Sequence, residues 1–216
     1  MELRDLRRTV AQGESLTVEF KRKVAHPNKI VRELVAFANT HGGELLIGVS
    51  DDGSMPGVKF PEDEIFVLEK AIKSLCRPAL PYTIEQVPLN EKTTIVIFKI
   101  PKSDKRPHYV KESADARHGQ TYVRHEDKSV QASREMREII ARQKKAKDIH
   151  FNFGEKEKIL MSYLERHKQI TLSEFRSIAK INKFKASKTL IILVLANIIA
   201  IQPTEKGDIY KAKNIS

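Results

Sequence analysis

Cysteine is scarce in this sequence: Cys76 is the only one in 216 residues. An intramolecular disulfide is therefore excluded, and the fold is not expected to depend on an oxidising compartment. Tryptophan is absent and aromatic residues make up 6% of the chain, so a broad surface that stacks many bases is not indicated. The apolar share of 40% is nonetheless enough for a packed core and argues against wholesale disorder.

Long hydrophobic runs are also missing. The longest, residues 189–201, has 13 residues and contains Asn197, whereas a helix that spans a bilayer needs about 20. We interpret this run as a buried helix that leads into a strand. The opening segment MELRDLRRTVAQGE lacks the apolar stretch of a signal peptide. We therefore expect a soluble, cytoplasmic protein with no membrane partner.

Acidic residues are outnumbered by basic ones. The chain has 39 Lys and Arg against 28 Asp and Glu, a net charge of +11, and its pI is about 9.6. Such a balance favours an anionic partner, which could be nucleic acid, a nucleotide or an anionic membrane.

Several common site motifs are absent from the sequence. No Gly-x-x-x-x-Gly-Lys-Ser/Thr string is present to cradle phosphates, and no Gly-x-Ser-x-Gly string marks a nucleophile. One cysteine and seven histidines do not offer the clustered ligands of a zinc site. We expect His108, His118 and His125 to be loop and surface residues, and Cys76 to be a buried structural cysteine.

The first module, residues 1–148, alternates helical and strand patterns without a regular βαβ rhythm. Residues 14–20 predict a strand with Val18 and Phe20 on one face, and Asn28 is a candidate N-cap for the helix that follows. Pro61 predicts the start of another helix, and two strand patterns joined by residues 90–92 predict a hairpin. This order favours an α+β or α/β domain with a mixed sheet.

The second module, residues 154–216, follows a charged joint that we place near residues 148–154. Its pattern of three short helices and a hairpin is the outline of a winged helix-turn-helix. Residues 155–216 hold 12 Lys and Arg against 6 Asp and Glu, a higher charge density than in the first module. The third helix would enter the major groove, where Lys183, Lys185 and Lys188 could touch phosphates or base edges. Dimerisation or protein docking is the alternative use of such a module.

Carboxylates lie near the predicted strand of residues 14–20. Glu14 and Glu19 flank it, and Asp51 follows the strand after the next helix. If those two strands pair, the acids could converge at one end of the sheet and bind Mg²⁺ or Mn²⁺, which prefer oxygen ligands. The basic run Lys21, Arg22 and Lys23 could then hold a nucleic-acid backbone. A capping acid and turn aspartates are the simpler alternative.

A longer pattern carries a family resemblance. The strings ESLTVEFKRK, IVRELVAFANTHGGELLIGVSDDGSMPGV and TYVRHEDKSVQAS together resemble the Schlafen/AlbA-like domain family, which is described as DNA-binding. The match is close over residues 14–58 and looser over the rest of the first module. The second module is similar to the winged-helix tails that often follow this domain. The resemblance implies a mixed α/β domain, nucleic-acid binding, a homodimer and, in bacterial members, transcriptional regulation.

The resemblance also implies roles for individual residues. Some Schlafen proteins cut transfer and ribosomal RNA with two glutamates, an aspartate and a divalent metal, and the matching positions are Glu14, Glu19 and Asp51. Those nucleases carry a duplicated domain, whereas this chain has one copy. Arg124 matches the tyrosine–arginine strand of the family and could contact a phosphate or pair with an acid of the same site.

Three hypotheses follow from the sequence. The first is a regulator that binds DNA as a dimer through both modules. The second is a ribonuclease that uses Glu14, Glu19 and Asp51 with Mg²⁺ or Mn²⁺ to cut structured RNA. The third is a nucleotide-binding or protein-docking module without chemistry.

Overall fold

A computed structural model describes residues 1–143 and 153–213. The chain forms two compact units, Met1–Gln131 and Ala132–Ser216. The joint that the sequence places near residues 148–154 falls mostly outside the described ranges. The helix that precedes it, from Arg134, belongs to the second unit.

The first unit contains three helices and nine strands. The helices are Leu3–Gln12 (α1), Pro27–Asn39 (α2) and Pro61–Leu75 (α3). The strands are Val18–Lys21 (β1), Gly42–Ile47 (β2), Cys76–Arg77 (β3), Thr83–Pro88 (β4), Thr94–Pro101 (β5), Tyr109–Lys111 (β6), Gly119–Gln120 (β7), Tyr122–His125 (β8) and Lys128–Gln131 (β9).

The main sheet of this unit is mixed, in the order β1-β2-β5-β4. Strand β1 runs parallel to β2, whereas β2, β5 and β4 pair antiparallel. Strands β3, β6 and β7 form a small second sheet, and β8 and β9 form a hairpin. The predicted mixed α/β class is confirmed, as is the predicted hairpin, which is β4–β5.

Both faces of the main sheet are covered. Leu45 and Ile47 of β2 face a core that includes Leu34 of α2. Leu46 points the other way, into a second core with Leu6 of α1 and Phe20 of β1. This alternation is the period of two that a strand imposes on its side chains. It also sets the direction of Glu19, which must lie on the face opposite Phe20.

Three local predictions in the first unit are wrong. The strand predicted for residues 14–20 begins only at Val18, because Ser15 donates its N–H to the Val18 carbonyl and starts a turn. Asn28 does not cap α2, since Pro27 already occupies the first turn and His26 is the N-cap. His108 is fully buried rather than on the surface, with its ring bonded to Ser103 Oγ at 2.6 Å.

The second unit contains four helices and a three-stranded sheet within its described residues. The helices are Arg134–Arg142 (α4), Glu155–His167 (α5), Leu172–Ile178 (α6) and Lys183–Leu195 (α7). The strands are Gln169–Ile170 (β10), Ile199–Gln202 (β11) and Ile209–Ala212 (β12), in the antiparallel order β10-β12-β11. Helices α5, α6 and α7 followed by the β11–β12 hairpin match the predicted element order. The assignment as a winged helix-turn-helix stays a prediction.

Capping side chains define where these helices begin. Thr171 accepts from the Glu174 N–H while the Glu174 carboxylate accepts from the Thr171 N–H, which is the reciprocal bonding of a capping box. Asn182 accepts from the Lys185 N–H at the start of α7. Side chains at the starts of α6 and α7 thus satisfy backbone N–H groups of the first turn of each of these two helices.

Helix α4 packs against α7 within the second unit. Ser187 Oγ of α7 donates to Glu135 Oε1 of α4 at 2.6 Å, and both residues are buried. Ser133, the N-cap of α4, donates to Asp208. Burial raises the pKa of Asp208 above its ordinary value, and repulsion from Glu135 acts in the same direction. One flank of α7 is therefore occupied by protein.

The apolar run at residues 189–201 forms the end of α7 and the start of β11, as predicted. In the described part of the chain, no helix is long and apolar enough to cross a membrane.

Candidate functional site

The centre of the candidate site is an ion pair between Glu19 and Arg124. Strand β1 presents Glu19 opposite Phe20, and strand β8 supplies Arg124. Arg124 Nη1 donates to Glu19 Oε2 at 2.9 Å. The Arg124 side chain is 0% exposed and that of Glu19 is 8% exposed, so the pair is shielded from water.

Arg124 has further partners around the same guanidinium. Its Nη1 lies 3.1 Å from Glu33 Oε2, and its Nη2 donates to the Ser15 carbonyl at 2.6 Å. The guanidinium carbon lies 4.8 Å from the centroid of the Phe37 ring, within range of a cation–π contact. Arg124 thus ties together the turn before β1, helix α2 and strand β8. Because it is buried in these contacts, it does not lie on the surface where the sequence suggested a phosphate contact.

A second basic and a second acidic residue complete the cluster. Lys21 Nζ contacts Glu19 Oε1 and donates to the Phe20 carbonyl at 2.9 Å. Glu33 accepts from Ser129 as well as from Arg124. Burial raises the pKa of Glu33, and repulsion from Glu19 adds to that shift. Both oxygens of Glu19 are therefore held by cations.

Glu14 supports the edge of the sheet. Its Oε1 accepts from the Phe20 N–H at 2.8 Å. Strand β1 is the last strand of the main sheet, and its Phe20 N–H points away from β2, so Glu14 satisfies a group that an edge strand would leave unpaired. Burial is the main cause that raises the pKa of Glu14, and repulsion from Glu19 and Asp51 contributes.

The predicted metal ligands do not form a ready ligand set. Glu14 is close enough to Glu19 and to Asp51 for their charges to repel its own. However, Glu14 accepts a backbone N–H and Glu19 is paired with Arg124 and Lys21. Across residues 1–143 and 153–213, no three His, Cys, Asp or Glu side chains are grouped so that they could hold a metal ion. As they are placed, these residues do not fit Mg²⁺ or Mn²⁺.

Asn39 positions the strand that carries Arg124. Its Nδ2 donates to the carbonyls of Tyr122 and His108 at 2.9 and 3.1 Å, and its Oδ1 accepts from the His108 N–H at 2.7 Å. Thr40 Oγ1, next in sequence, accepts from the Arg124 N–H at 2.9 Å. Asn39 and Thr40 thus hold β8 in place, a role that no pattern along the sequence indicates.

The predicted basic contacts differ in accessibility. Arg22 and Lys23 are exposed after β1, whereas Lys21 is half-buried against Glu19. Asp51 is also exposed, in the turn region after β2. Cys76 is buried and burial raises its pKa to about 12, which agrees with the predicted structural role.

The surface at the start of α7 contains a residue that the sequence analysis missed. Lys183, Lys185 and Lys188 are exposed there. Phe184, between the first two, is 63% exposed. The signal in the sequence was a phenylalanine flanked by lysines and out of phase with the apolar face of the helix.

The chain was compared with known proteins. The family model described as Schlafen, AlbA_2 matches residues 14–133. Among solved structures, the chain is similar to the N-terminal domain of a RecG-related protein from Nitrosomonas europaea, with 26% identity, a TM-score of 0.42 and coverage of 51% of this chain and 81% of that chain. No curated protein matches the chain significantly. Since the family model covers more than half of the sequence and includes Glu14, Glu19 and Arg124, the chain belongs to the Schlafen AlbA_2 family.

Proposed function

We propose that this protein is a nucleic-acid-binding protein that acts as a DNA-binding regulator, without chemistry at its carboxylate cluster. The observation that carries the proposal is the contrast between the two units. Two of the candidate acids of the first unit are held in internal contacts: Glu19 is bound to Arg124 and Lys21, and Glu14 accepts the Phe20 N–H. The lysines at the start of α7 are instead exposed. Membership of the Schlafen AlbA_2 family supports nucleic-acid binding.

The charge balance supports the same proposal. A net charge of +11 attracts polyanions by long-range electrostatics and counterion release, whatever their sequence. The first turn of α7 has no acidic residue, so Lys183, Lys185 and Lys188 are free of local compensation from that turn. They form the surface we propose for phosphate contact in the second unit, which we continue to interpret as a winged helix.

A homodimer is part of the proposal, since the family resemblance implies one. The first unit offers apolar surface for it: Phe60 and Phe66, at the start and in the middle of α3, are 71% and 67% exposed. Exposed aromatic residues of this size are typical of interaction surfaces. Sedimentation measures the oligomeric state directly.

Binding is tested by anisotropy titrations of labelled DNA of about 20 nucleotides, single-stranded and duplex, from about 50 to 200 mM salt and with EDTA present. We expect binding without metal and a steep loss of affinity with salt. The K183A/K185A/K188A variant should weaken binding and make the salt slope shallower. The matched control K59A/K70A/K92A removes three exposed lysines of the first unit and should have a smaller effect. Absence of binding to both forms of DNA would contradict the proposal.

Ribonuclease activity remains the second candidate, because one observation favours it. Repulsion from Glu19 and Asp51 helps to raise the pKa of Glu14, so Glu14 lies near both of the other candidate acids. Metal-dependent cleavage would nevertheless require Glu19 to exchange its contacts with Arg124 and Lys21.

A further inference from the structure

Phe184 differs from the core aromatic residues of its unit in being exposed. Phe175 and Tyr210 of the same unit are fully buried in the core formed by α5, α6, α7 and the sheet. Phe184 is 63% exposed, at the second position of a 13-residue helix. Exposing a phenylalanine forgoes the free energy gained by burying it, and its position among lysines gives that exposed ring a distinctive chemical setting.

Beyond its first turn, α7 is largely apolar and buried or half-buried, apart from the exposed Lys188. Helix α4 packs on it, with Ser187 bonded to the buried Glu135. Thr189, Leu190, Ile191 and Leu193 are buried. The accessible charged part of α7 is therefore its first turn together with Lys188.

That accessible part combines a ring with cations on one side of the helix. Lys188 follows Phe184 by four residues, which places the two side chains on the same helical face. Lys185 lies beside them. A lysine ammonium contacts a phosphate as a point charge, and a flat aromatic ring stacks on a base. The ring and the positive charges together match a nucleotide, because its base can stack on the ring and its phosphate can contact the lysines.

A stacking ring also selects the form of the nucleic acid. Within a duplex, both faces of each base are covered by its neighbours, so stacking on a protein side chain requires an unstacked base. Single strands and unpaired ends offer such bases without the energetic cost of opening a nucleic-acid duplex.

We propose that the start of α7 binds single-stranded nucleic acid, with one base stacked on Phe184 and the adjoining phosphates on Lys185 and Lys188. The inference rests on the proposed nucleic-acid binding and names the form that this surface takes. A protein partner at the same surface is the competing possibility, and the experiment separates the two.

The test uses the full chain and a labelled oligodeoxythymidylate of about 15 nucleotides, which stays unstructured. F184A should weaken binding by about 5- to 100-fold and leave the salt slope unchanged, because stacking releases no counterions. K185A/K188A should instead reduce the salt slope by roughly 0.7 for each phosphate that a lysine no longer neutralises. I159A is the matched control, since Ile159 of α5 is an apolar side chain of the same unit that is 38% exposed and lies outside both the start of α7 and the proposed dimer surface, and it should bind as the wild type does.

Each result has a distinct meaning. Binding that survives F184A but falls with K185A/K188A overturns the stacking inference and leaves nucleic-acid binding intact. An equal loss for F184A on a duplex of the same length would also overturn it, in favour of a duplex contact. Failure of the wild type to bind any nucleic acid would remove the proposed function itself and point to a protein partner at Phe184. Thermal melting of F184A verifies that this exposed substitution leaves the fold unchanged.

Discussion

Arg124 Nη1 lies 2.9 Å from Glu19 Oε2, although 105 residues separate the two in sequence. Both side chains are almost fully removed from water. Glu33 and Lys21 flank the pair, so the cluster contains two acidic and two basic side chains. Two of the residues that the family resemblance pointed to, Glu19 and Arg124, thus meet in space and are bound to one another.

Glu19→Gln should destabilise the protein by about 3–5 kcal/mol, because removing one partner leaves the buried Arg124 charge poorly compensated. Chemical denaturation at neutral pH measures the change. Glu44→Gln is the matched control on the neighbouring strand, since Glu44 lies 3.8 Å from Lys99 in a half-exposed pair that is expected to contribute less than about 1 kcal/mol. Similar losses of folding free energy for the two variants would show that the buried Glu19–Arg124 pair stabilises the protein no more than the half-exposed Glu44–Lys99 pair.

Glu14 gives a second prediction, in which alanine and glutamine should behave differently. Glu14→Ala removes the acceptor of the Phe20 N–H and should cost about 1–3 kcal/mol. Glu14→Gln keeps an acceptor oxygen. It also removes a carboxylate whose pKa is raised by burial and by Glu19 and Asp51. A raised carboxylate pKa means that the ionised form costs stability above that pKa, so the glutamine variant should be at least as stable as the wild type at neutral pH.

Denaturation of both variants at neutral pH measures this difference. A glutamine variant as unstable as the alanine variant would show that the negative charge of Glu14, rather than its hydrogen bond, stabilises the edge of β1.

The sequence predicts local elements better than it predicts this cluster. Alternation identified Val18 and Phe20 as one face of a strand, and Pro61 identified the start of α3, because both signals are local. The pairing of Glu19 with Arg124 depends on how β8 is placed against α2 by Asn39 and Thr40. No spacing along the chain encodes that contact.

Local sequence patterns also failed to predict which polar residues are buried. His108 lies in a segment rich in polar residues, yet the fold encloses it between Ser103 and the Pro78 carbonyl. In the same way, the apolar composition of α7 indicated that this helix is packed against other residues. The pattern of α7 did not indicate that α4 is one of the elements that cover it.

His108 should make stability depend on pH. Burial lowers its pKa below the ordinary 6.5, so the unfolded chain binds a proton more readily than the folded one. The neutral ring therefore makes its full contribution to folding stability above about pH 6.5. That contribution is lost as the pH falls through the lowered pKa. Melting temperatures from about pH 7.5 to 5.5 should fall more steeply for the wild type than for His108→Gln. His118→Gln, at an exposed position, should keep the wild-type slope. Parallel slopes for the wild type and His108→Gln would be evidence against this role.

The proposed dimer predicts a response to substitution on α3. Phe66→Ser replaces a side chain that is 67% exposed, so it should cost little monomer stability but should raise the dimer dissociation constant by tenfold or more, since aromatic anchors typically contribute about 2 kcal/mol or more to an interface. Sedimentation velocity over a range of concentrations gives that constant. Phe184→Ser, equally exposed but on the second unit, is the control. A monomeric wild type would exclude the dimer, and an unchanged constant for Phe66→Ser would place its interface elsewhere.

Ribonuclease activity is best tested with substitutions that leave the fold intact. Glu19→Gln is unsuitable alone, because the expected loss of stability would itself abolish activity. Asp51→Asn changes an exposed side chain and Glu14→Gln keeps its hydrogen bond, so both should remain folded. We expect purified wild type to leave transfer RNA intact with Mg²⁺ or Mn²⁺, since Glu19 is held by Arg124 and Lys21. Cleavage that disappears in both variants would instead establish the carboxylates as an active site and contradict a regulator without chemistry. Cleavage that persists in both would trace to a contaminant or to another part of the protein.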